Sequence, residues 1–152
     1  MTVRPTAPTD LAALREVLDS IELFPSEMLT DLSADFFHNP ATESYWLTAL
    51  QAQTPVGLVY CEPETLTDGT FNMRAIGVHA AHQGKGIGKE LVGHLEIILR
   101  QAGHRLLIVD TSGTDSFAAT RRFYTALDYE HAATIRDFWA AGDDKVIFRK
   151  AL

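Results

Sequence analysis

The sequence predicts a mixed α/β protein whose central sheet is mostly antiparallel, with one parallel strand pair in its middle and helices on its flanks. Two observations lead there. Strand-like runs follow one another through short turns in the middle of the chain, and further on they alternate with helical runs. Strands joined by tight turns pair antiparallel, whereas a strand-helix-strand order calls for parallel pairing.

A length of 152 residues fits one domain, 1–152, large enough to bury a substantial core. The 46% hydrophobic and 22% charged fractions are those of a soluble globular chain rather than a membrane span. The start MTVRPTAPTDLAALREVL has no apolar stretch after a basic one, and the single Cys61 excludes an intramolecular disulfide framework, so a cytoplasmic location is expected. A formal net charge of -7 argues against broad nucleic-acid binding, which rests on Lys and Arg neutralising phosphates. Any anion this chain holds is held locally.

TVRP reads as a short first strand. Asp10 is placed to N-cap the run LAALREVLDSIEL, in which Leu11, Leu14, Val17, Leu18 and Ile21 recur at helical spacing. A second helix is expected after Pro25, through Met28, Leu29, Leu32 and Phe36, until Asn39-Pro40 breaks it. Tyr45 to Gln51 and Val56 to Cys61 read as strands joined at Gln53-Thr54-Pro55, and the turn Thr67-Asp68-Gly69 leads into a third strand, TFNMRAIGV. Then come a glycine loop, a helix with an apolar stripe at Ile87, Leu91, Val92, Leu95, Ile98, Leu99 and Ala102, and Gly103 at its end. A strand from Arg105 to Asp110, a helix from about Ser116 to Leu127 and two strands around Ala140-Ala141-Gly142-Asp143 complete the chain.

The loop carries the chemistry. Gly84, Gly86 and Gly88 alternate with Lys85, Ile87 and Lys89 ahead of a helix start, where unpaired N–H groups and the positive end of the helix dipole favour phosphate. The spacing is one residue short of the dinucleotide fingerprint, and Glu90 replaces the Ser or Thr of the Walker loop.

What does fit is Gln/Arg-x-x-Gly-x-Gly/Ala, as Gln83-Gly84-Lys85-Gly86-Ile87-Gly88, within RAIGVHAAHQGKGIGKELV and followed later by RRFYTALDYE. On these stretches the sequence resembles the GNAT superfamily of acyl-CoA N-acyltransferases, a likeness that covers the C-terminal half well and the N-terminal half only in its order of elements. The resemblance implies the GNAT fold and acetyl-CoA as cosubstrate. It implies pyrophosphate on the amides of Gly84 to Lys89, with Lys85 and Lys89 adding charge and Gln83 fixing the loop. It also implies a pantetheine arm pairing with main-chain groups around Ile76, Gly77 and Val78, where a backbone amide could stabilise the oxyanion. Arg121 and Arg122 could reach the adenosine phosphate, or be ordinary exposed arginines.

By the same resemblance Tyr124 is the catalytic side chain, protonating the departing thiolate, since a phenol of pKa ~10 can serve a thiol of pKa ~8.5. A core aromatic is the alternative reading. Two positions depart from the family pattern: Asp128 stands for the usual glycine after this helix, and Phe117 for a frequent asparagine or serine. The usual glutamate base position, counted back from Gln83, holds Asn72, which leaves His79, Glu43, Asp137 or a water chain. His79 and His82 lack a third ligand, and no metal is assigned.

For the acceptor, Asp137, Phe138 and Trp139 with Asp143-Asp144, and Glu22 and Phe24 from the other side, could line a pocket for a cationic amine; ordinary turn acids at Asp143-Asp144 and a core Trp139 serve equally. The expected function is transfer of acetyl from acetyl-CoA to a primary amine of a small molecule by direct attack. A peptide N-terminus or lysine as acceptor, or an acyl-CoA sensor without catalysis, are the alternatives. A homodimer through sheet edges is compatible with that fold.

Overall fold

A computed structural model describes all residues, 1–152. A seven-stranded sheet in the order β1-β2-β3-β4-β5-β7-β6 forms the middle layer. Its strands are β1 (Thr2–Pro5), β2 (Tyr45–Gln51), β3 (Thr54–Pro63), β4 (Thr70–Val78), β5 (Leu106–Ser112), β6 (Glu130–Ala140) and β7 (Asp143–Ala151). All neighbours pair antiparallel except β4 and β5, which are parallel, as the alternation of strands and helices predicts. No helix is long and apolar enough to cross a membrane.

One face carries α3 (Ile87–Gln101) and α4 (Ala118–Ala126), over a core that includes Leu91, Leu95, Leu99, Met73, Val109, Tyr124 and Phe148. The other carries α1 (Leu11–Asp19) and α2 (Leu29–His38), over Leu14, Val17, Leu29, Trp46, Leu58 and Ala75. Strand side chains alternate between faces, so a sheet buried on both sides reads as near-continuous apolar runs. Trp46 stacks on Tyr60 with ring centroids 4.4 Å apart on the α1 face.

Four local expectations change. Helix α1 ends at Asp19 rather than running to Leu23, because residues 20–25 leave the helix to cross the end of β4, where the N–H of Ala80 donates to Ser20 Oγ at 3.0 Å. Asp10 makes no side-chain cap on α1; its carboxylate turns back to the N–H of Ala7 and to the guanidinium of Arg4. The β2–β3 turn is made by Ala52 and Gln53, both at positive φ, so β3 begins at Thr54. Ala102 is exposed, the last buried residue of the stripe being Leu99; Gly103 follows at φ +85, the left-handed position that closes a helix. Asp128 takes the left-handed conformation at φ +68 after α4, doing what a glycine would do there.

Candidate active site

The sheet comes apart in its middle. Strands β4 and β5 pair only at Thr70, Phe71 and Asn72, opposite Leu106, Leu107 and Ile108. Beyond that point β4 keeps only β3 as a partner and β5 only β7. A bulge helps drive the separation: opposite Tyr60 and Cys61 of β3, strand β4 presents Ala75 and Met73, with Arg74 as the extra residue. An extra residue bends its strand and re-aims the side chains beyond it; Met73 lies in the α3 core and Ala75 in the α1 core. The edge of β4 that carries Ile76, Gly77 and Val78 thus faces the gap without a sheet neighbour on that side.

At the end of that edge lies the glycine loop. Gln83 donates from Nε2 to the carbonyl of Val78 at 3.1 Å, tying loop to strand. Gly84 and Gly86 have φ of +75 and +82, and a Cβ on either would meet nothing within 4 Å. None of the backbone N–H groups from Gly84 to Lys89 hydrogen-bonds within the chain. Lys85 and Lys89 are exposed beside them, while Ile87 is buried and anchors the first turn of α3. An array of free amides at a helix start, with an open surface and two ammonium groups, is chemically suited to a pyrophosphate. The loop and the unpaired strand edge therefore fit acetyl-CoA.

Helix α4 closes on the loop from the side. A Cβ at Gly88 would stand 3.2 Å from Cζ of Phe123, so the two helices touch at the first turn of α3. The next residue, Tyr124, is 3% exposed, between Tyr129 and Phe148. Its hydroxyl makes no hydrogen bond within the chain and is not among the fully enclosed polar atoms. Burial pushes its phenol pKa up, which keeps the proton on the oxygen. Arg121 donates to the carbonyls of Ser112 and Thr114 at 2.7 and 2.8 Å, binding α4 to the end of β5, and Arg122 is exposed.

On the opposite face lies a charged cluster that the sequence reading missed. Phe71, Met73, Leu107, Val109, Val146 and Phe148 point to α3 and α4, so Asn72, Asp110 and Lys145 point to the α1 side. Asn72, 2% exposed, donates from Nδ2 to Glu64 Oε1 at 2.8 Å and to Asp110 Oδ2 at 3.3 Å. Arg74 lies 3.4 Å from Glu64, and Lys145 lies 3.4 Å from Asp110 Oδ2 and 4.4 Å above the ring of Phe138. Asn72 Oδ1 and Asp110 Oδ1 are enclosed and have no partner. Asn72 itself was the one available signal, being an amide where the resemblance places a carboxylate. Of the bases named from the sequence, His79 accepts from Ala81 N, Glu43 sits in a separate hollow beside Asp35, and none hydrogen-bonds to Asn72.

The expected acceptor residues fall into two groups. Glu22 and Phe24 line a hollow of about 450 Å³ formed by residues 18–27. Trp139 is 49% exposed rather than core, and its Nε1–H reaches the carbonyl of Thr111 on β5 at 3.3 Å, which brings the tip of the β6–β7 hairpin to the gap. Asp137 is spent on the turn: its N–H donates to Asp144 and its carboxylate accepts from Gly142 N.

A sheet split at a parallel pair, beside a free-amide loop and a phenol without a partner in the chain, suits an acyl-CoA transferase. The profile of the acetyltransferase (GNAT) family matches residues 11–129, and the chain belongs to that family, whose activity is acetyl-CoA-dependent acetyl transfer. It is similar over 99% of its length to 98% of a GNAT-family protein from Desulfovibrio desulfuricans, at 29% identity and a TM-score of 0.91. The fold is shared with the ribosomal-protein-alanine N-acetyltransferase of Brucella melitensis, at 18% identity, full coverage of both chains (100% each) and a TM-score of 0.81. It is shared also with an aminoglycoside 6'-N-acetyltransferase of Enterococcus faecium, at 17% identity, coverage of 99% and 97%, and a TM-score of 0.77. No curated protein matches the chain at a significant level.

Proposed function

We infer that residues 1–152 act as one domain that transfers acetyl from acetyl-CoA to a primary amine of a small molecule, the amine attacking directly. The observation that carries this reading is the two-sided gap. Tyr124 lies on its α3/α4 face, and carboxylates held by Asn72 stand on the α1 face. A cosubstrate and a cationic amine can thus approach from opposite sides without sharing a path.

Bound acetyl-CoA supplies a thioester carbonyl carbon open to attack by an amine. The chain does the rest. The amides and lysines from Gly84 to Lys89 hold pyrophosphate by charge-assisted hydrogen bonds, and Gln83 keeps that loop in register with β4. The free edge around Ile76, Gly77 and Val78 pairs with an extended arm as an added strand would. Tyr124, kept protonated by burial, gives its proton to the departing sulfur. Glu22 and Phe24 from one side and Trp139 from the other bound the entry for the acceptor, whose size they limit.

The experiment is thiol release from acetyl-CoA by the purified protein against polyamines, amino acids, aminoglycosides and short peptides. Release with one small-amine class supports the reading. Release only with peptides makes a protein N-terminus or lysine the acceptor, and acetyl-CoA binding without release to any amine makes the chain a sensor.

A further inference from the structure

We propose that Asp110 is the catalytic residue that receives the acceptor's ammonium and takes its proton, with Asn72 as the positioning residue that holds Asp110 at the gap. The inference rests on the amine-acetyltransfer reading above. It starts from the place where the two parallel strands part. Their last pair is Asn72 with Ile108, and Asp110 stands two residues further along β5, on the same face as Asn72 and beyond the end of the pairing. Its side chain is 12% exposed, so it is neither a solvated surface acid nor a sealed one.

The hydrogen bonding around it is incomplete in a specific way. Asp110 Oδ2 is served by Asn72 Nδ2 and Lys145, whereas Asp110 Oδ1 is enclosed with no donor from the chain. Asn72, only 2% exposed, has an Oδ1 in the same condition. The amide cannot be flipped to cure this, since Nδ2 must face the carboxylates of Glu64 and Asp110. Buried acceptors without donors are costly and uncommon, and here two lie on one side chain pair. What they lack is an N–H or O–H donor, which an ammonium, or one water hydrogen-bonded to it, supplies.

Asp110 is preferred over Glu64 on position and charge. Glu64 follows the end of β3 at the rim and shares its oxygen with Arg74. The charged groups facing Asp110 are Lys145 from β7 and, through Asn72, Glu64 with its partner Arg74. A carboxylate at position 72 would stand against two others, so an amide that donates to both is the residue that lets them coexist. The proton acceptor has in effect moved from β4 to β5.

In the reaction an N–H bond of the ammonium breaks as an O–H bond forms on Asp110, and the freed lone pair bonds to the acetyl carbonyl carbon. The C–S bond breaks, sulfur keeps the electron pair and takes the Tyr124 proton, and a second proton from nitrogen returns to Tyr124. Asp110 gives its proton to solvent, so one proton is released per acetyl transferred.

Two amines test this: n-butylamine, an alkylamine with a pKa near the ~10.4 of lysine, and glycinamide, an α-amine near ~8. The binding arm titrates butylammonium by NMR into protein saturated with unreactive coenzyme A. Wild type and the surface control Asp31→Asn are expected to bind it alike, and Asp110→Asn at least tenfold more weakly. The activity arm compares kcat. Asp110→Asn is expected to lose at least a hundredfold on butylamine at pH 7, with the deficit shrinking as pH rises toward 10, and to lose less on glycinamide, which is partly neutral already. Asn72→Asp combined with Asp110→Asn returns a carboxylate across the same gap and is expected to recover at least tenfold, which separates loss of chemistry from loss of fold. Absence of butylammonium binding by the wild type, unchanged binding by Asp110→Asn, or a kcat loss equal for both amines at every pH overturns the assignment. If Asp110-dependent binding is found but neither these two amines nor any member of the wider amine panel is acetylated, the ammonium site stands and the acetyltransfer reading, with the proton step, falls.

Discussion

Ile21 rests on the backbone of Gly77: a Cβ built at Gly77 would stand 2.6 Å from Cδ1 of Ile21 and 3.1 Å from Cδ2 of Leu23. The loop after α1 thereby reaches the strand edge that borders the gap, and a side chain at position 77 competes with it for the same space. Gly77→Val is expected to expel Ile21 rather than bend the strand, because a methyl at the end of a flexible side chain yields more readily than backbone. Overpacking of this kind costs about 1–3 kcal/mol. A lowered melting temperature with a raised KM for the amine and a smaller change in kcat is the expected outcome, measured by thermal melts and steady-state kinetics.

Tyr124→Phe removes a hydroxyl that no group in the chain uses. Its melting temperature is expected to stay within a degree or two of the wild type, while kcat falls at least tenfold, within the ~10²–10⁴ range of general acid–base contributions or just below it. A variant that melts early and keeps its kcat would make Tyr124 a packing residue.

Gly86→Ala separates conformation from contact. No atom obstructs the new methyl, so the stability cost comes from holding a non-glycine residue at φ +82, about 1–2 kcal/mol. The methyl projects from the surface on which pyrophosphate would lie, and coenzyme A affinity by calorimetry is expected to drop at least tenfold. Equal affinity in the variant would place the phosphates elsewhere.

Acid stability should depend on Asp10. Burial pushes its carboxyl pKa up, but the Arg4 guanidinium at 2.7 and 2.9 Å, the Ala7 N–H at 2.8 Å and Thr48 bring it below its ordinary value. With the folded value under the unfolded ~3.9, the stabilisation is complete above that value and drains away as pH falls through the folded one. Asp10→Asn is expected to cost about 2 kcal/mol at pH 7, the scale of hydrogen bonds to a charged group. Denaturant melts of variant and wild type should converge once the pH has fallen below the folded value; a gap that persists in strong acid would assign the loss to packing.

The order of elements, the parallel pair and the loop-to-helix junction were legible because each rests on local signals: alternation, turn residues, and glycines ahead of an amphipathic run. The left-handed Asp128 could likewise be read from its place after a helix. Tertiary partners decided the rest. The Arg74 bulge exists only with respect to β3, and the early end of α1 only with respect to Gly77. The Asn72–Asp110–Glu64 cluster joins residues up to 46 positions apart, 64 to 110, through strand register, which no single stretch encodes. Asn72 was visible as a departure, yet what it serves could not be seen until β5 was laid beside it.

The unpaired run of β4 also bears on how long the protein lasts. Its open edge leaves main-chain groups for an extended ligand to complete, and in the proposed binding mode the cosubstrate would complete them. A ligand at a hundred times its dissociation constant adds about 2.7 kcal/mol to the folded state. Resistance to proteolysis should then track acetyl-CoA supply, so that a well-fed cell keeps more of this protein intact than a starved one.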